Sequence, residues 1–165
     1  MIHELYTHEL LAMKQKDQKM RIDADPRSGR GGLAEWDPYL DILHTEKLKG
    51  IIEDIGWPTI SKVGKAASEA AWILVQYAMD DKTFMEHCLE LMKEAGEDIE
   101  RWEIAYLTDR LLMMEEKSQL YGTQYRKDET GRIRMWKVED LEKLDERRKE
   151  MGLEPSEGEE WLGQS

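Results

Sequence analysis

Four side chains with useful chemistry fall on one line of a predicted helix: Lys65, Glu69, Trp72 and Gln76. At about 100° per residue, these positions lie within roughly 60° of one another. An ionisable pair, an aromatic ring and an amide along one line are typical of the wall of a pocket for a polar ligand. The segment around them is otherwise apolar, so the line is a narrow polar stripe on a buried helix.

Two interpretations of this line remain open. In the first, it is the solvated side of the helix, and Lys65 and Glu69 form an ordinary surface pair worth about a few tenths of a kcal/mol. In the second, Trp72 contacts a ligand or an overlying segment, because an exposed indole ring leaves much apolar surface in water. Burial would then make the Glu69 carboxylate a candidate general base.

Other charged residues extend the candidate catalytic set. Asp81 is a second possible base, and Arg110 lies among apolar neighbours of a later predicted helix, where it could stabilise negative charge on a substrate. The candidate catalytic residues are therefore Glu69, Asp81 and Arg110.

The segment QLYGTQ, residues Gln119 to Gln124, has an unusual density of hydrogen-bond donors and acceptors. One interpretation is a hydrogen-bonding rim for a polar ligand that includes Tyr121 and Gln124. The other is that Gly122 marks a bulge or bend and the polar groups bond to nearby backbone. With the rim included, the predicted ligand-binding residues are Lys65, Glu69, Trp72, Gln76, Arg110, Tyr121 and Gln124.

Several familiar catalytic motifs are absent. Gly64 and Lys65 precede a helix, but Gly56 is too far away for a phosphate loop and Ala66 stands where a metal-binding hydroxyl is needed. No GxSxG elbow surrounds a serine, and Cys88 falls on an apolar helix face, where thiols are inert. Nucleoside triphosphate hydrolysis and nucleophilic catalysis are not indicated.

The four histidines have no zinc-binding spacing, since neither HExxH nor paired cysteines occur. We therefore expect no metal and no cofactor, and we interpret the histidines as helix surface. Asp17 and Arg21, four residues apart, read as a plain helical salt bridge. The four histidines are His3, His8, His44 and His87.

Composition limits the partners. The chain has 165 residues and a formal net charge of -12, which would repel a phosphate backbone, so we expect no direct nucleic-acid binding. An acidic decoy that occupies a nucleic-acid-binding protein stays open. A single cysteine, no signal-like N-terminus and no apolar run of roughly 20 residues predict a cytoplasmic protein that does not span a membrane.

Hydrophobic periodicity predicts a helix from Ile2 with an exposed second half through Lys14 to Arg21, and a loop around Ser28 to Gly32 that is the best candidate for a mobile segment. Further helices are predicted from Tyr39 to Ile55 and from about Ser61 or Gly64 to Ala78. The last of these should be the buried axis of a bundle.

The C-terminal half continues this pattern. Asp80 or Asp81 is expected to cap a fourth helix, and Asp98 a fifth. Gln119 to Arg126 and Arg132 to Val138 then predict two antiparallel strands around a turn at Gly131, and a last helix covers about Glu139 to Met151. The predicted fold is mainly α, an orthogonal or bundle-like packing of about five to six helices with one small antiparallel β-hairpin in the C-terminal third. Residues 1–155 form a single domain in this scheme, and residues 156–165 a polar tail.

Six segments in order resemble the bacterial domain-of-unknown-function family 6624: DQKMR, GWPTISKVG, AAWILVQYA, AYLTDR, QLYGTQ and VEDLEKLDERRKEMGLEP. The resemblance covers nearly the whole chain and implies a shared fold without an established activity. In the family pattern the third helix ends in QHAD, whereas Tyr77 stands at the histidine position here. A tyrosine can replace the hydrogen bond of that histidine but not its titration near neutral pH.

We therefore expect a module that binds a polar small molecule or peptide. The alternative is a hydrolase- or transferase-type enzyme with a carboxylate base. These two hypotheses differ in their requirements, because an enzyme needs convergent ionisable groups whereas a binding module needs an accessible rim. The sequence leaves the ligand, any catalysis and the oligomeric state undetermined.

Overall fold

The computed structural model describes residues 2–24 and 37–156. The chain divides into two compact units, unit 1 (Met1–Ile99) and unit 2 (Glu100–Ser165). The single domain predicted for residues 1–155 remains a prediction. The predicted loop around Ser28 to Gly32 and most of the predicted tail lie outside the described residues.

Unit 1 is helical throughout its described part. Its elements are α1 (Glu4–Ala24), α2 (Pro38–Ile55), α3 (Ile60–Val63), α4 (Lys65–Gln76), α5 (Lys82–Glu94) and a 3-10 turn (Gly96–Asp98). Helix α4 packs against α1, α2, α3 and α5. The predicted buried axis is therefore confirmed, and its small side chains Ala67, Ala70 and Ala71 are almost completely inaccessible.

Glycines divide unit 1 at marked positions. Gly56 ends α2 with a φ of 73°, in the left-handed region that glycine adopts without strain. Gly64, with a φ of 85°, separates α3 from α4. Of the two starts predicted for the helix that runs to Ala78, Ser61 and Gly64, the start at Gly64 fits α4, and Ile60–Val63 form a separate helix.

Two helix starts were predicted to be capped by aspartates. The Asp81 carboxylate accepts a hydrogen bond from the backbone N–H of Phe84 and caps α5, as predicted. The cap predicted at Asp98 is wrong, because that carboxylate accepts hydrogen bonds from the backbone and hydroxyl of Ser61. Glu100 is the residue that precedes the fifth predicted helix.

Unit 2 contains α6 (Arg101–Met114), the strands β1 (Tyr125–Lys127) and β2 (Ile133–Met135), a 3-10 turn (Leu141–Lys143) and α7 (Leu144–Glu150). The strands are antiparallel, with Arg126 opposite Arg134, so the predicted hairpin is confirmed. They are shorter than predicted, since residues 119–124 form no ladder with β2. Gln119 instead makes one isolated parallel bridge with Val138, beyond the end of β2. The last helix is likewise shorter than predicted.

Candidate functional site

A buried ionic cluster joins α1 and α2 in unit 1. Asp17 is 0% exposed, and its Oδ1 accepts a hydrogen bond from Nη2 of Arg21 at 2.9 Å. The same nitrogen lies 2.6 Å from Oδ1 of Asp41, whose side chain is 11% exposed. Gln18 also donates to Asp17 at 2.8 Å. Asp17 and Arg21 are thus more than the plain helical salt bridge that the sequence predicts. The second half of α1 is partly buried, whereas the sequence predicts that it is exposed.

The cluster extends to two rings. The guanidinium carbon of Arg21 lies 3.1 Å from the centroid of the Tyr77 ring, a close cation–π contact. His44 is 3% exposed, and no described residue hydrogen-bonds to its Nδ1, so the prediction that the histidines are helix surface is wrong for His44. Burial lowers the pKa of His44, although the nearby charge of Asp17 opposes this shift.

Helical spacing explains how these polar groups become buried. Asp17 follows Leu10 and Met13 at intervals of three and four residues, which places all three on the inner face of α1. His44 precedes Leu48 by four residues on the inner face of α2. The polar cluster therefore replaces apolar packing at one end of these faces.

A cleft lies beside the cluster, with a volume of about 260 Å³. We call it the acidic cleft. Its wall consists of one face of α2 and the turn that follows α4. The lining residues are Asp41, Ile42, Thr45, Glu46, Tyr77, Ala78, Asp80 and Asp81.

The carboxylates of the acidic cleft have different environments. Lys49 Nζ lies 2.7 Å from Asp81 and 3.1 Å from Glu46. Its hydrogen bond lowers the pKa of Asp81, as does the bond from the backbone of Phe84. Burial instead raises the pKa of Asp41, and this effect outweighs the opposing charge of Arg21. The pKa values of Asp41 and Asp81 are therefore shifted in opposite directions.

The predicted line on α4 changes environment along its length. Lys65 is exposed, Glu69 lies 3.7 Å from Lys14 with a side chain 36% exposed, and Trp72 is partly buried. Gln76 is 4% exposed, and neither of its amide atoms has a hydrogen-bond partner among the described residues. The line thus runs from the surface at one end of α4 to the interior at the other.

Asp81, a candidate base, has two structural partners in unit 1. Its carboxylate caps α5 and pairs with Lys49. Both interactions favour the charged form. Since burial raises the pKa of Asp41 instead, Asp41 is better suited than Asp81 to act as a base.

Unit 2 contains a second buried carboxylate, Asp109 of α6, which is 0% exposed. It accepts hydrogen bonds from the backbone N–H groups of Leu120, Tyr121 and Thr123, at distances between 2.8 and 3.2 Å. The hydroxyl of Thr123 donates a further bond at 2.9 Å. Burial raises the pKa of Asp109, while these four donors oppose the shift. One carboxylate therefore organises the segment of residues 119–124.

Residues 119–124 also make hydrogen bonds that do not involve Asp109. The Gln119 amide is fully buried and bonds to the backbone of Gln124 and Trp136. Arg147 donates to the carbonyl of Leu120 at 2.7 Å, and Arg148 to that of Tyr121 at 2.7 Å. Most polar groups of QLYGTQ thus have protein partners.

Arg110, Tyr121 and Gln124, the other predicted ligand-binding residues, lie in unit 2. Arg110 is partly buried on α6, and Tyr121 is partly buried with a pKa raised by that burial and by the Asp109 charge. Gln124 is 5% exposed and donates to the Thr123 hydroxyl at 3.1 Å. Their interpretation as a ligand rim stays a prediction.

Sequence reasoning did not assign the acidic cleft. The predicted site does not include Asp41, Thr45 or Asp80. The sequence predicts only a helical salt bridge for Asp17 and Arg21, and a surface position for His44. One signal was available: polar residues at positions where the helical period calls for apolar ones. The departure at Tyr77 pointed to the same place, because Tyr77 lines the acidic cleft.

Within the described residues, no three histidine, cysteine, aspartate or glutamate side chains are grouped in a way that could hold a metal ion. No helix of the described part is long and apolar enough to span a membrane.

Fold and site together define a mainly α-helical protein with one antiparallel hairpin and an acidic cleft beside a buried ionic cluster. The chain belongs to the family of unknown function DUF6624, which matches it over residues 5–162. No curated protein and no solved structure matches the chain.

Segments that carried the resemblance meet within each unit. DQKMR contacts the end of AAWILVQYA through Arg21 and Tyr77 in unit 1. In unit 2, AYLTDR contacts QLYGTQ through Asp109. The family itself assigns no activity, so function has to be argued from the site.

Proposed function

We propose that unit 1 is a binding module that holds a polar small molecule or a peptide side chain in the acidic cleft. The cleft volume of about 260 Å³ is below the roughly 300–1,000 Å³ of pockets for drug-sized ligands. The ligand of the acidic cleft would therefore be a small metabolite or one side chain of a peptide. The mixed lining of carboxylates, a hydroxyl, an aromatic ring and two aliphatic side chains suits a ligand with both polar and apolar parts.

The observation that carries this proposal is the preorganised wall of the cleft. Arg21 bonds to Asp17 and Asp41 and stacks on Tyr77, so one guanidinium restrains two lining side chains. Binding sites gain affinity when their groups are held in place before the ligand arrives. Stability alone is a weak explanation for the buried ion pairs of Arg21, because apolar residues of similar volume often stabilise a core as well as a buried ion pair does.

A library of small polar metabolites tests the proposal, with nuclear magnetic resonance of the ¹⁵N-labelled chain as the readout. A ligand should shift the backbone amides of Thr45, Ala78 and Asp80 in unit 1. At 100 times its dissociation constant it should also add about 2.7 kcal/mol of stability.

Variants identify the site. Asp41→Asn should weaken binding at least tenfold. The matched control is Glu53→Gln, which removes one negative charge from an exposed position of the same helix and should leave binding unchanged. Ligands that perturb only amides elsewhere, or that bind Asp41→Asn as tightly, would contradict the proposal.

A second candidate, an enzyme of hydrolase or transferase type, is favoured by the raised pKa of Asp41. A carboxylate that takes up a proton nearer neutral pH is a more effective general base. In this case Asp41→Asn would abolish turnover of a bound ligand while the ligand still binds. If the natural chain binds the ligand without turnover and Asp41→Asn only weakens that binding, the result would favour the binding module.

A further inference from the structure

One side of α2 is exposed along nearly the whole helix, and we call it the outer ridge of α2. Tyr39 is 78% exposed, Ile42 46% and Leu43 50%. Three further exposed positions continue the ridge toward the end of the helix. At about 100° and 1.5 Å per residue, the six positions lie within about 100° of one another and span about 21 Å. They are Tyr39, Ile42, Leu43, Glu46, Gly50 and Glu53.

The first half of the outer ridge is an apolar patch. Single exposed apolar side chains are common on soluble proteins, but Tyr39, Ile42 and Leu43 lie within five residues of one another on one helix face. The inner face of α2 supplies the core instead, with Leu48 and Ile51 almost completely buried. The patch is therefore apolar surface beyond what the core of unit 1 uses.

Gly50 supplies a second, independent observation. Glycine in the interior of a helix is less favourable than alanine. Gly50 has no positive φ, and an added Cβ would meet no atom of the described residues within 4 Å. Neither the backbone conformation nor packing within the described part of the chain thus requires glycine here. A glycine on an exposed ridge does let a second helix approach closely, because the distance between packed helices depends on the side chains at their contact.

Charge indicates the kind of partner. The second half of the outer ridge is acidic: Lys49 pairs with Glu46 at 3.1 Å, whereas Glu53 has no ion pair among the described residues. A second copy of this chain, paired symmetrically about the middle of the ridge, would place Glu46 against Glu46 and bring together two chains of net charge -12. A helix with basic side chains would be attracted instead.

We propose that the outer ridge of α2 binds an amphipathic helix of another protein whose polar side is basic. Apolar side chains of that helix pack on Tyr39, Ile42 and Leu43, as in other complexes in which one helix lies on an apolar surface. Its backbone approaches Gly50, and its lysines or arginines lie near Glu53. The ridge length of about 21 Å corresponds to about 14 residues of the partner helix.

This proposal goes beyond the proposed function, because most of the outer ridge lies outside the acidic cleft. The two surfaces share Ile42 and Glu46, whereas Tyr39, Leu43 and Gly50 do not line the cleft. Substitutions at Leu43 and Gly50 therefore test the ridge alone.

A phage-displayed library of 18-residue peptides, randomised on an alanine-rich helical background, tests the proposal with the full chain as bait. Selected peptides should carry apolar residues at intervals of three and four, and more lysine and arginine than the unselected library. Synthetic copies should shift the backbone amides of Tyr39, Leu43 and Gly50 in the ¹⁵N-labelled chain. Their affinity should fall as salt is raised.

Variants identify the surface. Gly50→Gln should weaken a selected peptide at least tenfold, because the new side chain fills the point of close approach. Leu43→Gln should also weaken it at least tenfold, through loss of apolar contact. The matched control is Ala66→Gln, which places the same side chain at an exposed position of α4 and should leave binding unchanged.

Gly50→Ala separates a role in binding from a role in folding. Alanine should raise the melting temperature of the free chain, because it favours the helix and meets open space. The same substitution should weaken a selected peptide at least threefold. A chain that becomes more stable but binds less tightly would show that Gly50 serves the interface. Equal affinity of the natural chain and Gly50→Gln would overturn the proposal.

Other outcomes assign a different occupant and also overturn it. Selection of acidic peptides, or of none, would contradict a basic helix. A dimer in analytical ultracentrifugation that Gly50→Gln dissociates would make the occupant a second copy of the chain. Peptides that bind Gly50→Gln but not Asp41→Asn would occupy the acidic cleft, which would support the proposed function and not this one. Metabolite binding in the cleft should be the same in Gly50→Gln and the natural chain, so either proposal can fail alone.

Discussion

Among the described residues, two aspartates are completely buried, Asp17 in unit 1 and Asp109 in unit 2, and their surroundings differ in kind. Asp109 accepts three backbone N–H bonds and one hydroxyl bond from a single segment. Asp17 bonds to long side chains, Gln18 and Arg21. Asp109, surrounded by backbone donors, holds the backbone of one segment in place. Asp17 shares Arg21 with Asp41 and so helps to position a residue that lines the acidic cleft.

This difference separates a structural role from a functional one for similar residues. The donors around Asp109 come from the protein, so nothing in that arrangement requires a ligand. In unit 1, Arg21 is divided between Asp17 and Asp41, and Asp41 lines the acidic cleft. Burial of a carboxylate is therefore less informative than the source of its hydrogen-bond donors.

The largest expected effect comes from Asp109→Asn. The substitution removes the charge and turns one acceptor into a donor that faces backbone N–H groups, so the free energy of unfolding should fall by about 3 kcal/mol. Urea denaturation measures the loss, and hydrogen exchange should increase at residues 119–124. Glu129→Gln, at an exposed position, should change stability by less than about 0.5 kcal/mol. A loss below about 1 kcal/mol for Asp109→Asn would show that Asp109 does not organise residues 119–124.

Gly122→Ala tests the same segment at its tightest point. Gly122 has a φ of 65°, and an added Cβ would lie 3.1 Å from Met135 Sδ and 3.4 Å from Leu144 Cδ2. We expect a loss of about 2 kcal/mol from backbone strain and crowding together.

Gly131→Ala is the matched control for Gly122→Ala. Gly131 has a φ of 82° with open space around its Cα, so only backbone strain applies and about 1 kcal/mol should be lost. Thermal or urea unfolding gives both values. Equal losses at the two positions would mean that the contacts of Gly122 with the core of unit 2 are easily relaxed.

A pH experiment tests the buried cluster of unit 1 through His44. Its pKa is lowered in the folded state, so below about pH 6.5 the unfolded chain binds a proton that the folded chain does not. Stability from this group is present at higher pH and is lost as pH falls through that window. As the pH falls from 7.5 to 5.5, the natural chain should therefore lose more stability than His44→Phe. An unchanged difference would show that His44 titrates alike in both states.

The smallest effect is expected for Glu69→Gln on the predicted line of α4. Glu69 is paired with Lys14 at 3.7 Å near the surface, so stability should change by less than about 0.5 kcal/mol. Binding in the acidic cleft should be unchanged. If this variant abolished binding instead, the α4 line rather than the acidic cleft would be the site.

Much of the fold was predictable because apolar residues recur with the helical period and glycines mark the helix ends. Gly56 and the caps of α5 are local signals, and local signals can be read from a sequence. The strands were predicted too long because residues 119–124 have strand-like side chains, while their partners are Asp109, Arg147 and Arg148 from distant positions. Tertiary contacts of this kind leave no periodic signal.

The candidate site was only partly predictable. Tyr77 drew attention through its departure from the family pattern, and Asp81 through its charge, but Asp41 and Asp80 resemble ordinary helix-end acids in sequence. The role of Asp41 depends on Arg21, which lies 20 residues earlier along the chain. A cation shared between two helices becomes visible only when the helices are packed.

Arg147 and Arg148 of unit 2 also constrain the order in which contacts form during synthesis. Arg147 and Arg148 bond to carbonyls 27 residues earlier in the chain. At roughly 5–20 residues per second, the ribosome needs more than a second to add that stretch, and the exit tunnel delays its emergence further. Residues 119–124 therefore emerge from the ribosome with Asp109 already available to bind their N–H groups, before Arg147 and Arg148 emerge to bind their carbonyls.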